Sequence, residues 1–320
     1  MTRVGKKRNI FQKILFPNPN RDPRFSTWRM MMQNKQHYAL IAPYFILFFT
    51  FTVLPVVMAM GLSFTTFNIL QPPQFAGTTN YIRLFLENPV FMTALTNTLI
   101  IAVVTGPISY ILCFTIAWIV NEMPPKVRAL LTLVFYAPSI SGNVFVIWMW
   151  FLSGDSYGMI NGWLLNWGLI DGPINFFRDT RYILPLLMVV QVWLSLGVAF
   201  LAFIAGLQAV DKNMYEAAAM DGIRNRWQEL WYITLPAMRP MLMFGAVIQI
   251  TASFALGDLS ITLAGFPSVN YAGETIVTHM MDFGWIRFEM GFASAIAVVL
   301  FIMMVGSNKF IQRLLRRVGS

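Results

Sequence analysis

The chain has 320 residues, 57% of them hydrophobic and 12% charged, with a formal net charge of +9. Its 28 Phe, 21 Met and 10 Trp are more apolar surface than one soluble core of this length can hide. That excludes an ordinary soluble domain and leaves a polytopic membrane protein. Cys113 is the one cysteine and lies in an apolar run, so an intrachain disulfide and a cysteine metal site are both excluded.

Residues 1–38 carry nine Lys or Arg against one acid, Asp22. The stretch is too long and too polar before its first apolar run for a cleavable signal peptide. It reads as a basic cytoplasmic tail, in which a short amphipathic helix around Asn9–Phe16 or Trp28–Gln36 would lie on anionic lipid. Six apolar runs follow, 39–65, 91–120, 129–152, 182–207, 241–265 and 289–312. Each is long enough to cross a hydrocarbon core of roughly 30 Å. The predicted fold is an all-α integral membrane protein: six transmembrane helices over residues 39–312, then a basic tail, 313–320.

NEMPPKVR separates the second run from the third, and its two prolines stop the helix and make a tight hairpin. Pro43, Pro55, Pro107, Pro138 and Pro185 fall within spans or near their ends. The backbone groups they free need neighbouring helices or an aqueous cavity, which predicts a packed bundle. Nineteen of the 23 basic residues lie on one side, and only Arg83, Arg178, Arg181 and Arg287 on the other. By the positive-inside rule both termini and residues 211–240 of this multi-pass protein are cytoplasmic. The basic excess is therefore topogenic, and nucleic acid is not an expected partner.

The outer loops, 66–90, 153–181 and 266–288, contain Gly, Pro, Asn and aromatics. Short interfacial helices are expected there, NGWLLNWGLI being one. Trp163, Trp167 and Trp285 suit an interfacial aromatic belt. None of these loops is large enough for a substrate-binding domain. There is no GxxxxGK[ST] phosphate loop. His37 and His279 are isolated from any metal-ligand spacing, and no nucleophile–base pair stands out. Catalysis by this chain is not expected.

The stretch Asp211–Pro240, DKNMYEAAAMDGIRNRWQELWYITLPAMRP, is a charged insert between two apolar runs. Asn213 with Glu216 fits a capping box, and Tyr215–Met220 favours helix. Gly222 supplies a left-handed stop. Asn225 with Gln228 repeats the cap signal, and a second helix runs to Pro236. Two short helices standing out from the membrane suit docking of a soluble partner, the alternative being a loop that only spaces two spans.

Glu216-Ala217-Ala218, then Asp221-Gly222, then Ile233-Thr234-Leu235-Pro236 resemble the EAA loop of membrane subunits of binding-protein-dependent ABC importers. The resemblance extends from about Pro43 to Leu315 and is most specific over 206–240. The surrounding sequence is most similar to the carbohydrate-uptake branch, relatives of the maltose-transporter membrane subunits. It implies a permease subunit whose loop 211–240 is a coupling helix seated in a groove of an ATPase, through Glu216, Ala217, Ala218, Asp221, Gly222, Leu235 and Pro236. It also implies a second permease, two ATPase subunits that hold ATP and Mg, and an extracytoplasmic sugar-binding protein. No cofactor is implied in this chain.

The spans hold few polar groups, among them Asn97, Asn143, Gln191, Gln249, Ser253 and Asp258. A carboxylate near the bilayer centre costs about 2.5–3.5 kcal/mol on insertion scales, so Asp258 is expected to face a cavity or a partner. LGDLSITLAGFP is similar to the branch pattern FDxIxxLTxGGP until Phe266 replaces its second glycine. On one straight helix Gln249 and Ser253 share a face, while Asp258 falls on the opposite side unless Gly257 distorts the helix. Asn143, Trp148, Gln191, Trp193, Gln249, Ser253 and Asp258 are the candidate path residues, with packing between helices as the alternative for each. Amides, hydroxyls and Trp faces suit a sugar. An importer of a peptide, polyamine or phosphate is the runner-up. A secondary transporter would need a repeat and more mid-membrane acids, and a scaffold would not need the EAA loop.

Overall fold

The computed structural model describes residues 35–315. The helix expected at Asn9–Phe16, most of the one at Trp28–Gln36 and the last residues of the C-terminal tail lie outside them. The chain divides into two compact units, the first ending at Met58. Helix α1 (Lys35–Leu62) has a mean hydropathy of 2.3, and side chains such as Leu40 and Phe51 are exposed, as lipid contact requires.

The second unit is a bundle. Helix α2 (Pro89–Asn121) is followed by α3 (Pro125–Ile140), α4 (Val144–Phe151) and α5 (Met159–Asn166). Then come α6 (Thr180–Leu194), α7 (Val198–Ala209), α8 (Lys212–Met220), α9 (Arg226–Ala237) and α10 (Arg239–Phe254). Helices α11 (Asp258–Ala264), α12 (Ile276–Met281) and α13 (Met290–Leu315) complete it. A two-residue antiparallel ladder, β1 (Thr65–Thr66) on β2 (Gln74–Phe75), precedes α2.

Among the described residues four helical segments are long and apolar enough to cross a membrane, or up to six if each bent pair is counted as one span. The runs expected as straight helices at 129–152 and 241–265 are broken. Helices α3 and α4 meet at 87° across residues 141–143, where Gly142 has φ +60. Residues 255–257 separate α10 from α11, and Gly257 (φ −123, ψ −68) leaves helical conformation there. In the fourth run Ser195–Gly197 interrupts α6 and α7. Three of the π-turns end two residues before a proline: Phe49–Val53 before Pro55, Arg83–Glu87 before Pro89, Leu230–Thr234 before Pro236. Before Pro55 and Pro236 the widened turn relieves the clash of the ring with the carbonyl one turn back, whereas before Pro89 the helix ends at extended Asn88 and the proline opens α2.

Helix α2 holds the bundle together. Phe91 joins one buried cluster with Ile250, Ile276, Phe283 and Phe292. Ile101 joins a second with Ile183, Leu187 and Leu259. Cys113 and Ala117 join a third with Phe200, Phe203 and Met238. Close helix approach needs Gly245 on α10, since a Cβ there would run into the Phe203 ring of α7.

Candidate functional site

Loop 211–240 folds as two capped helices. Asp211, rather than Asn213, caps α8: its carboxylate accepts from the Asn213 N–H at 3.0 Å. The Asn213–Glu216 capping box does not form: the helix starts two residues earlier, and the Asn213 side-chain amide donates back to Asp211 Oδ2 at 3.4 Å. Ala218 O accepts from Ile223 N at 3.0 Å and Ala219 O from Gly222 N at 3.3 Å. With Gly222 at φ +93 this is a Schellman stop. Asn225 caps α9 through Gln228 N (2.8 Å), and Gln228 Oε1 returns to Arg224 N (3.0 Å). Helix α9 continues one residue past Pro236, then bends 80° into α10. The Tyr215 hydroxyl meets Thr234 Oγ1 at 2.9 Å and joins α8 to α9.

Glu216, Ala217, Asp221, Gly222 and Pro236 are exposed, Leu235 is half-buried, and Ala218 is buried inside this chain. The outward surface of the loop is apolar: Met220 is 88% exposed, Trp227 70%, Trp231 65% and Tyr232 68%. Glu216 also lines a cleft of about 640 Å³ between the loop and the α2–α3 turn. Across that cleft Arg226 reaches Glu122 (3.0 Å) as well as Glu229 (2.7 Å), and Trp227 meets Trp118 with ring centroids 5.3 Å apart. Sequence reasoning missed this second contact surface. Its partners are about a hundred residues apart and share no local pattern.

The candidate path residues do not form one stripe. Gln249, 3% exposed, donates to Cys113 Sγ and to Ser195 O, both at 3.0 Å. The break after α6 leaves that carbonyl without its full helical partner, and a side-chain amide satisfies it. Ser253 returns its hydroxyl to Ile250 O at 2.9 Å. Gln191 donates to Ala252 O at 3.2 Å. Trp148 and Trp193 meet edge to face at 5.8 Å, and Trp148 Nε1 is buried with no hydrogen-bond partner. Asn143 is exposed at the α3–α4 bend. Asp258 is exposed in the first turn of α11, where a carboxylate complements the helix N-terminus. The straight-helix geometry that set Asp258 opposite Gln249 does not apply, because the helix is broken between them.

At the Pro89 end of α2 the segment 256–289 is laced by buried polar groups. Asn97 Nδ2 faces three carbonyls, Tyr271 O (3.3 Å), Ala272 O (3.2 Å) and Glu274 O (2.9 Å). Thr98 Oγ1 accepts from Ile276 N (2.9 Å), and Thr275 with Thr278 forms the capping box of α12. Asn88 caps α2 through Phe91 N, and its amide nitrogen meets His279 Nε2 at 3.0 Å. That contact makes Nε2 the acceptor and leaves the proton on Nδ1, 4.0 Å from Glu274 Oε1. Burial pushes the Glu274 carboxyl up to about 7 and the His279 imidazole down to about 4. Arg83 pairs with Glu289 while lying over the Phe292 ring, and Arg287 pairs with Asp282 at 2.6 Å. Among the described residues no cluster of three His, Cys, Asp or Glu could hold a metal ion.

A family model described as "Binding-protein-dependent transport system inner membrane component" matches residues 98–319. The chain is 31% identical over 277 residues to the probable ABC transporter permease protein YesP of Bacillus subtilis, covering 85% of this chain and 87% of that one. It is 30% identical to the arabinooligosaccharides transport system permease protein AraP of Halalkalibacterium halodurans, covering 95% and 94%. A chain of a bacterial alginate ABC transporter, crystallised with an alginate pentasaccharide-bound periplasmic protein, superposes with a TM-score of 0.75 at 22% identity, covering 92% and 98%. That likeness gives the fold of an ABC permease. Matched over most of its length, this chain belongs to the family of inner membrane components of binding-protein-dependent transport systems.

Proposed function

We propose that the chain is one permease half of an ATP-driven importer for a sugar or oligosaccharide, working with a second permease, two ATPase subunits and an extracytoplasmic binding protein. Loop 211–240 carries the proposal: two capped helices, a glycine at positive φ and an exposed apolar surface at Met220, Trp227, Trp231 and Tyr232. A surface of that kind on a charged loop fits a protein partner. In this reading Glu216, Ala217, Asp221, Pro236 and part of Leu235 face the ATPase. Ala218 and Gly222 instead set the turn between α8 and α9. ATP and Mg belong to the ATPase subunits, and closure of the pair displaces α8 and α9. The excess of basic residues on one side supports a cytoplasmic loop and cytoplasmic termini in a prokaryotic inner membrane.

The printed name of AraP concerns arabinooligosaccharides, and the superposing transporter was crystallised with an alginate-loaded periplasmic protein. Both support a glycan as cargo. In this chain the Trp148–Trp193 pair, with its unpartnered indole N–H beside the α3–α4 bend, fits a path wall for a sugar, as does exposed Asn143. Gln191 and Gln249 hold helix against helix, Ser253 bonds back within α10, and Asp258 meets solvent or a partner chain at the α10–α11 break.

The test is ATP hydrolysis by the purified complex, co-expressed with its ATPase and binding protein, across a panel of oligosaccharides. Stimulation by one sugar only when the binding protein is present is expected. An assembled complex indifferent to every sugar would move the cargo to another solute, such as a peptide, polyamine or phosphate. A chain that retains no ATPase would sink the proposal.

A further inference from the structure

We infer that α2 is the element through which the nucleotide side of the transporter positions the outer segment 271–279, with Glu122, Trp118, Asn97 and Thr98 as its positioning residues. The inference rests on the importer reading above. Both ends of one continuous helix are fastened to a functional segment, and each fastening is specific.

At the Asn121 end, Trp118 lies against Trp227 at 5.3 Å and Glu122 bridges to Arg226 at 3.0 Å. Arg226 is at the same time held by Glu229 of its own helix, 2.7 Å away. A displacement of α9 therefore pulls on the last turn of α2 through a ring contact and an ion pair together. An exposed ion pair contributes little to stability, so this one is suited to registering two elements and can be altered without unfolding the chain.

At the Pro89 end the fastening is buried. The Asn97 amide faces the carbonyls of residues 271, 272 and 274, and Thr98 takes the N–H of Ile276. Asn88 adds its contact with His279 of α12. Segment 271–279 thereby has several main-chain groups satisfied by α2 itself, and it moves with α2 or loses those bonds. Buried backbone groups without partners are costly.

Between the fastenings α2 is uninterrupted despite Pro107. From Asn97 to Glu122 it spans roughly 37 Å at about 1.5 Å per residue. It also contributes to all three buried clusters, so its middle cannot yield separately from its ends. A stiff element tied at both ends transmits displacement, and the displacement at one end should depend on the ties at the other.

The experiment uses the complete transporter in nanodiscs with the binding protein in excess. Nitroxides at Trp285→Cys, in the turn that continues α12 past Met281, and Tyr157→Cys, between α4 and α5, report one distance; both positions are exposed and native Cys113 is buried. In the otherwise wild-type protein this distance is expected to differ between the nucleotide-free and ATP–vanadate-trapped states. Glu122→Arg and Arg226→Glu should each remove at least half of that difference, and the two together should restore it. Asn97→Ala with Thr98→Val should trap nucleotide as before yet leave the distance unresponsive. Wild-type responses in all variants would overturn the inference, as would a wild type that traps nucleotide with no change at Trp285→Cys. A chain that carries no ATPase to trap nucleotide would instead refute the importer reading. Should the Asn97/Thr98 variant fail to fold, the charge-swap series still decides.

Discussion

Loop 211–240 and segment 256–289 are both runs of short helices joined to α2, but different physics holds them. The loop is organised by neighbours in sequence: Asp211 caps onto residue 213, Asn225 onto 228, and Gly222 turns the chain back onto Ala218 and Ala219. Its outward side chains are exposed. The outer segment is organised across the chain, with Asn97 reaching residues 271–274 and Asn88 reaching His279. Local bonds shape a part that must present itself to a partner, whereas long-range buried bonds fix a part to the body of the protein.

The sharpest way to break the loop is Gly222→Val. No atom lies within 4 Å of a Cβ built there, so the new side chain has room, but φ +93 is strained for any residue with a Cβ. The local cost is about 1–2 kcal/mol, small against insertion of the whole bundle. Reorientation of α8 against α9 should nevertheless cut substrate uptake at least tenfold. Membrane insertion, followed by immunoblot of membrane fractions, should be unchanged. Uptake at the wild-type rate would refute the coupling role of the turn.

The corresponding break in the outer segment is Asn97→Ala, and here the expected effect falls on stability. Three carbonyls lose their shared side-chain donor, one of them at 2.9 Å in a buried setting. A buried polar group left unsatisfied costs about 1–3 kcal/mol, which should appear as a lower Tm of the detergent-purified chain. Thermal melting would check it, and a Tm equal to wild type would mean that the segment is held by its apolar contacts instead.

The contrast also explains what could be read in advance. The helix stop at Gly222, the end of α9 beside Pro236 and the cap at Asn225 are local signals, and they are visible in the sequence; the cap at Asp211 lies two residues before the one expected at Asn213, because Asp and Asn rank alike as caps and the pattern does not choose between them. Apolar run length locates the spans, but it is blind to a bend that keeps both halves apolar, so the break at 141–143 leaves no sign in it, and the one at 255–257 is visible only as a distortion that Gly257 would permit. Without the second break, periodicity put Asp258 on the wrong side of a helix that does not exist. Asn97 looked like any lone amide in a span. Nothing local indicates that its three acceptors lie some 175 positions downstream, and the Glu122–Arg226 and Trp118–Trp227 contacts are illegible for the same reason.

The smallest effect concerns titration and sharpens the comparison at one residue. Glu274 is 3% exposed, and burial raises its folded-state pKa to about 7 from an ordinary 4.5. Between those values the folded chain holds a proton that the unfolded chain has released. This contribution to stability is therefore full below pH 4.5 and is lost as pH rises toward 7. His279 acts in the other sense: its folded pKa is lowered to about 4 from 6.5, so stability falls as pH drops through that window. From about pH 4.5 to 6.5 the two slopes oppose each other, and above 6.5 only the Glu274 loss remains. Glu274→Gln keeps the shape and removes the charge, so its advantage in Tm over wild type should be greater at pH 8 than at pH 5. A Tm difference independent of pH would show that the Glu274 carboxyl is already ionised in the fold, drawn to the His279 ring more closely than 4.0 Å allows.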